Sequence, residues 1–227
     1  MTEIGPTIGI ATPSYVGVPG AGAGPPPAVW VRVAMTGVYD STPSPAINTT
    51  GADLLVAVIA QGSSPVTITD SAANTWVTAV SLGNETISYV GSPTTSATHT
   101  FSLTNPNGSA IAVLAYSGSR ASPLDQTRIA AVTTGAFTSQ PGVGITPTAN
   151  NELIINGGCF TRSIGSVSID SGLTVRQFLD GRGVFGFFGA VAADFVQPTA
   201  GLINPTMTTT LASQFTNYNA IASFFHA

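Results

Sequence analysis

Lysine is absent from this chain, and only 7% of its 227 residues carry charge, against about 25% in an ordinary globular protein. The six basic residues are arginines at 32, 120, 128, 162, 176 and 182, with no run or stripe among them, and the net charge is -4. A nucleic-acid surface needs clustered cations to displace phosphate counterions, so no nucleic-acid partner is expected. The lone cysteine, Cys159 in "LIINGGCFT", excludes an intrachain disulfide or a cysteine-built metal site and reads as a small buried hydrophobe. Long apolar runs are missing too: nothing approaches the roughly 20 residues of a membrane helix, so no membrane partner is expected. The opening "MTEIGPTIGIATPSYV" has neither the basic start nor the continuous apolar stretch of a secretory signal. The chain is expected to be made in a cytoplasm and to be soluble.

Helical periodicity is also lacking, since no segment holds a 3.6-residue apolar repeat for the ten or so residues a helix needs. What is present is strand after strand. From Val29 onward, short β-branched or aromatic stretches such as "DLLVAVIAQ", "ETISYVG", "AIAVLAYSG" and "ELIINGGCFT" alternate with Gly, Pro, Asn or Ser. This spacing predicts an all-β protein, a jelly-roll-like β-sandwich over residues 28–227. "DLLVAVIA" and "AIAVLAY" are almost wholly apolar and are expected as central strands, whereas "THTFSLT" alternates and is expected to have one wet face. In "VFGFFGAVAADFV" glycine interleaves with Phe185, Phe187 and Phe188, as where a strand bends or a backbone passes close by. The two halves of the chain show no visible sequence repeat.

Residues 1–27 end in "VPGAGAGPPPA", too rich in Gly and Pro for a helix or a central strand. They read as an extended N-terminal arm, which at about 3.3 Å per residue reaches roughly 90 Å. Ile4, Ile8, Ile10, Tyr15, Val16 and Val18 are its candidate docking residues. So few charges on a body of this size point to surface covered by copies of the chain or by a partner.

"VTITDSAANTW", residues 66–76, poses the sharpest choice between a ligand site and a corner. Val66 and Ile68 share one strand face, and Asp70 stands where the strand must end. Its carboxylate can accept backbone N–H groups in an Asx-turn, and Asn74 tolerates the left-handed conformation that reverses the chain. Calcium needs six to eight oxygens, which the segment does not supply, so a corner is expected and no metal or cofactor. His99 and His226 offer no evident scaffold for a Ser-His-Asp set or a metal cluster. A glycosidase needs two carboxylates facing one cleft, and Asp70 with Glu85, or Asp170 with Asp180, are the pairs to consider. The expectation is that the protein is not an enzyme.

The order "GADLLVAVIA", "VTITDSAANTW", "AIAVLAYSGS", "SPLDQT", "ITPTANNELIING" over residues 51–157 resembles a β-sandwich domain that recurs in phage virion structural proteins and bacterial surface proteins. Ala73 stands where that family usually places a turn glycine. The resemblance implies a virion component: a capsid decoration or cement protein, or else a tail or fibre module. The arm and the low charge favour decoration: a homo-oligomer such as a homotrimer on the outer capsid surface, bound to the major capsid protein and to copies of itself. The alternative is a carbohydrate-binding or receptor-binding module of a fibre or cell surface, with Trp76, Tyr89 and Tyr116 as candidate glycan-stacking platforms.

Overall fold

A strand that is apolar on both sides must be covered on both sides. The computed structural model, which describes residues 29–40, 43–62, 66–104, 107–132, 136–181, 188–214 and 217–227, shows how this chain arranges it. The expected arm, with Ile4, Ile8, Ile10, Tyr15, Val16 and Val18, lies outside the described residues, as do Phe185 and Phe187.

The first half contributes β1 (Val31–Tyr39), β2 (Leu54–Ala60), β3 (Ile68–Asp70), β4 (Val77–Leu82), β5 (Glu85–Gly91), β6 (Phe101–Leu103) and β7 (Ala110–Ser117). The second contributes β8 (Ser119–Val132), β9 (Ala136–Pro141), β10 (Glu152–Phe160), β11 (Val167–Ile169), β12 (Thr174–Leu179), β13 (Gly189–Gln197), β14 (Thr206–Gln214) and β15 (Asn217–His226). No helix occurs among the described residues. Two five-stranded antiparallel sheets, ordered β1-β7-β2-β5-β4 and β12-β13-β10-β15-β8, lie face to face. Between them Leu54, Val56, Ile87, Leu114, Leu153, Ile155 and Phe224 form the central core. The pair β3-β6 covers the outer face of the first sheet through Ile68, Phe101 and Leu103. The trio β11-β14-β9 covers the second through Ile169 and Met207. The protein is therefore an all-β sandwich, with each sheet sheltered on both faces.

This arrangement explains the burial patterns. Every residue of β2 is buried, as the apolar run requires, and in β6 Phe101 and Leu103 are buried with Ser102 between them less so. Gly189 lies where a Cβ would come within 2.5 Å of the Gly181 nitrogen, the close backbone approach expected of that segment. Cys159 is buried beside Ala60, Ala110 and Phe188. Neither β9 nor β14 was expected. β14, "TMTTTLASQ", is β-branched but threonine-rich, so it lacks the apolar alternation that marks a strand, and β9 is an edge strand ending in Pro141. The chain also completes one sheet before beginning the other, whereas a jelly roll passes back and forth between its two sheets.

The strand orders reveal a repeat that the sequence hides. Numbered from the start of each half, and setting β9 aside as an insertion, both sheets run first, seventh, second, fifth, fourth, and in both the third strand pairs with the sixth. Irregularities repeat as well. A bulge follows Arg32 in β1 and Leu124 in β8, another falls at Ala79 in β4 and at Arg176 in β12, and the lone bridge Ile47–His99 has its counterpart in Ile145–Ile203. Across the sandwich β1 faces β12 and β4 faces β8, β7 faces β13 and β5 faces β15, and β2 faces β10. These pairings are those of a two-fold axis between β2 and β10. The chain packs as two copies of one unit related by pseudo-two-fold symmetry.

One residue joins the halves. Gly118, at φ +104°, carries the chain from the first sheet to the second, and the Asp53 carboxylate accepts the N–H groups of Gly118 at 2.9 Å and Ser119 at 2.9 Å. A side chain at Gly118 would also press on the Val29 carbonyl, 2.9 Å from its Cβ.

A carboxylic acid sits deep between the two sheets. Glu85 is fully buried, and neither of its carboxylate oxygens has a hydrogen-bond partner among the described residues. Gly157 makes room for it, since a Cβ there would lie 2.6 Å from Glu85 Oε1. Burial pushes this carboxyl well above its usual 4.5, opposed only by the nearby Ala220 backbone. The folded protein thus keeps a proton that the unfolded chain releases above pH 4.5, and wild-type stability falls as pH rises beyond that value. Glu85→Gln, scored by urea denaturation across the pH range, is expected to be more stable than wild type at pH 7. The difference should shrink to nothing below pH 4.5, where both states of the wild type are protonated.

Candidate functional site

Asp70 ends β3, and its side chain is wholly buried. Its Oδ1 accepts the Ala72 N–H at 2.8 Å, the Asn74 N–H at 3.3 Å and the Asn74 side-chain amide at 3.2 Å, and lies 3.0 Å from His99 Nε2. Its Oδ2 accepts the Trp76 indole N–H at 2.7 Å. His99 continues the chain of contacts through Nδ1 to Thr49 Oγ1 at 2.9 Å, and its ring stacks on Phe101 at 4.5 Å. A hydroxyl, an imidazole and a carboxylate thus stand in line, as in a nucleophilic triad. Thr49 and His99 are both sealed from solvent, and Thr49 Oγ1 is already bonded to Ser96 O at 3.2 Å and Ser96 N at 3.1 Å. With no approach for a substrate, the set works as a brace.

The turn differs from expectation in one residue. Ala73, not Asn74, takes the left-handed conformation, at φ +55°. Asn74 instead latches the neighbouring loop: its amide donates to Thr94 O at 3.0 Å and accepts the Thr94 N–H at 2.7 Å. Asx-turn capping by Asp70 is as expected. Burial pushes the Asp70 carboxyl up, but hydrogen bonds from His99, Trp76, Asn74 and Ala72 outweigh it and hold it below the usual 3.8.

Beside this brace, on the outer face of the first sheet, lies a groove of about 270 Å³. Trp76, Gln61, Thr67, Thr78, Ser81 and Thr86 are among its lining residues, with Ser88 at its base. The Trp76 ring is half-buried, edge-on to Phe101 at 6.2 Å and fixed at its nitrogen by Asp70. The floor is ordered by a short relay in which Gln61 Nε2 donates to Thr86 Oγ1 at 2.7 Å and Ser81 Oγ lies 2.7 Å from the same atom. An oriented indole beside hydroxyl and amide groups can stack on a sugar ring and hydrogen-bond its hydroxyls.

The other two stacking candidates are not brought to this groove. Tyr89 points into the central core, edge-on to Phe224 at 5.6 Å. Tyr116 is 2% exposed and donates its hydroxyl to Asp194 Oδ2 at 2.7 Å, so its ring offers no face to a sugar. The carboxylate pairs are also apart: Glu85 lies inside the sandwich and Asp70 in the corner. Asp170 accepts the Thr206 N–H at 2.6 Å, while Asp180 accepts the Ile164 N–H at 2.7 Å. Gln61, Thr78, Ser81 and Thr86 escaped the sequence reading, because isolated polar residues on strands carry no motif. The available signal was the alternation of Thr86 and Ser88 with Ile87 and Tyr89 on β5; Thr78 and Ser81 share a face only through the bulge at Ala79. No family model, no curated protein and no solved structure matches the chain, so a functional reading rests on the residues themselves.

Replacing Asp70 by Asn removes the charged acceptor of five contacts and should cost about 1–3 kcal/mol at pH 7 by chemical denaturation. Because the folded carboxyl titrates below 3.8, wild type holds this contribution above that pH and loses it as pH falls through the lower folded value. The gap between wild type and Asp70→Asn should therefore close in acid.

Proposed function

We propose that the protein is a virion structural protein, a capsid decoration or cement protein that attaches to a phage shell through its arm and the edges of its sandwich. The observation that carries this reading is the root of the arm. Among the described residues β1, into which residues 1–27 lead, is an edge strand paired with β7 alone; it presents Val31 at 52% and Met35 at 40% exposure, with Val29 just before it at 72%. An apolar edge with unpaired backbone groups is a template for strand addition by another chain. Apolar surface covered there contributes roughly 25 cal/mol per Å² before the cost of ordering the arm is subtracted. That cost limits the affinity of one copy, and attachment as a homo-oligomer offsets it.

A second reading, recognition of glycans by the same virion component, is favoured by the groove beside Trp76. One experiment separates the two. Full-length protein, a variant lacking residues 1–27 and Trp76→Ala are sedimented with empty phage shells and tested in parallel on a glycan panel. Shell binding lost with the arm and kept by Trp76→Ala is the expected outcome. Normal shell binding by the truncated variant would contradict the role of the arm. Glycan binding abolished by Trp76→Ala, without shell binding, would replace decoration by recognition.

A further inference from the structure

The pseudo-two-fold axis supplies an internal control for every position in the sandwich, and at one place the two edges that it relates disagree completely. At the β4–β8 side, Leu124, Ala79, Tyr89 and Phe224 pack together as part of the central core. The strand registers match these four to Arg32, Arg176, Asp194 and Tyr116 at the β1–β12 side. Four apolar-packing positions at one edge of the sandwich are thus two arginines, an aspartate and a tyrosine at the edge that the axis relates to it. Leu124, Ala79, Tyr89 and Phe224 show that the architecture is satisfied by apolar side chains here. A buried ion pair is weak support for stability, so the polar set calls for another reason.

Its geometry indicates what that reason is. Asp194 is 7% exposed and already has two close partners, Arg176 Nε at 2.6 Å and the Tyr116 hydroxyl at 2.7 Å. Arg32 stands farther off, 3.5 Å from Asp194 Oδ2. Two guanidiniums therefore face one carboxylate that the first of them satisfies, and both keep about a third of their side chains exposed, at 32% and 30%. They open on a cleft of about 170 Å³ bounded by Trp30, Thr174, Phe195 and Val196. Both arginines sit at or beside a strand bulge, a device that re-aims a side chain out of the pleat.

We infer that this cleft binds the carboxylate of one acidic sugar unit. The surplus positive charge selects an anion, and the planar guanidinium fork fits a carboxylate through paired N–H donors. The size of the cleft, well under the roughly 300 Å³ of a drug-sized pocket, limits the occupant to a single small unit. The aromatic and aliphatic wall of Trp30, Phe195 and Val196 with the Thr174 hydroxyl suits a ring that has an apolar face and hydroxyl edges. The site is separate from the groove beside Trp76 and does not depend on shell attachment.

The test is titration calorimetry of the full chain with glucuronate, with glucose and acetate as comparators. Glucuronate is expected to bind saturably, with glucose and acetate each at least tenfold weaker, and its affinity is expected to fall as salt is raised. Arg32→Gln, which leaves the Asp194–Arg176 pair intact, should weaken binding at least tenfold. A second variant copies the β4–β8 edge: Arg32→Leu, Arg176→Ala, Asp194→Tyr and Tyr116→Phe together should fold with undiminished thermal stability and bind no glucuronate. Absence of binding in wild type, unchanged binding in Arg32→Gln, or failure of the fourfold variant to fold would each overturn the inference. Acetate binding as tightly as glucuronate would overturn the sugar class.

Discussion

The controlling constraint is that β2 and β7, with their counterparts β10 and β15, lie at the middle of sheets that need cover on both faces. A lone five-stranded sheet with its small outer layer leaves the inner face in water. Packing two such units about an axis between β2 and β10 removes both inner faces from solvent at once. The rest of the structure follows from that contact. The outer layers can be small, and the connection between halves can shrink to Gly118, held by Asp53. Buried polar groups such as Thr49, Gln61, His99 and Asn156 then sit where hydrogen bonds are made.

Within this frame the polar residues sort by what they brace. Asp70, His99 and Thr49 tie the β3 corner to the β6 strand and its preceding loop, and fix Trp76 as they do so. Glu85 braces nothing: it is an acid inside the core at the position equivalent to that of Ala190 in the other half. Symmetry-breaking thus occurs in two forms. Glu85 breaks it in the closed interior, where it makes stability depend on pH. Arg32, Arg176, Asp194 and Tyr116 break it at an open edge, where charge can meet a ligand.

The fold class was legible in the sequence because apolar strands and turn residues are local signals. "DLLVAVIA" declares a doubly buried strand, and "TDSAAN" declares a turn. The duplication was not legible, because strand order lives in backbone pairing, and many residues satisfy the same pairing. Leu54 and Leu153 remain alike at equivalent positions, whereas Val58 faces solvent no more than Gly157 does yet shares nothing with it in composition. β14 went unseen because threonine suits a strand without marking its inner face. The Asp70 corner was read for its own turn, but its link to His99 spans 29 residues and needed the β3–β6 pairing to appear. The arginine cleft draws on four strands of both halves, so no window of sequence contains it.

The account rests on the two halves being each other's missing core face, and severing the chain at Gly118 tests that most directly. Residues 29–117 and 119–227 would be produced separately and together, and their folding followed by circular dichroism and analytical ultracentrifugation. Neither half should be a stable folded monomer on its own, and the two together should reassemble one-to-one with the strand signature and cooperative unfolding of the intact chain. A single half that is monomeric, folded and cooperatively unfolding would contradict the account.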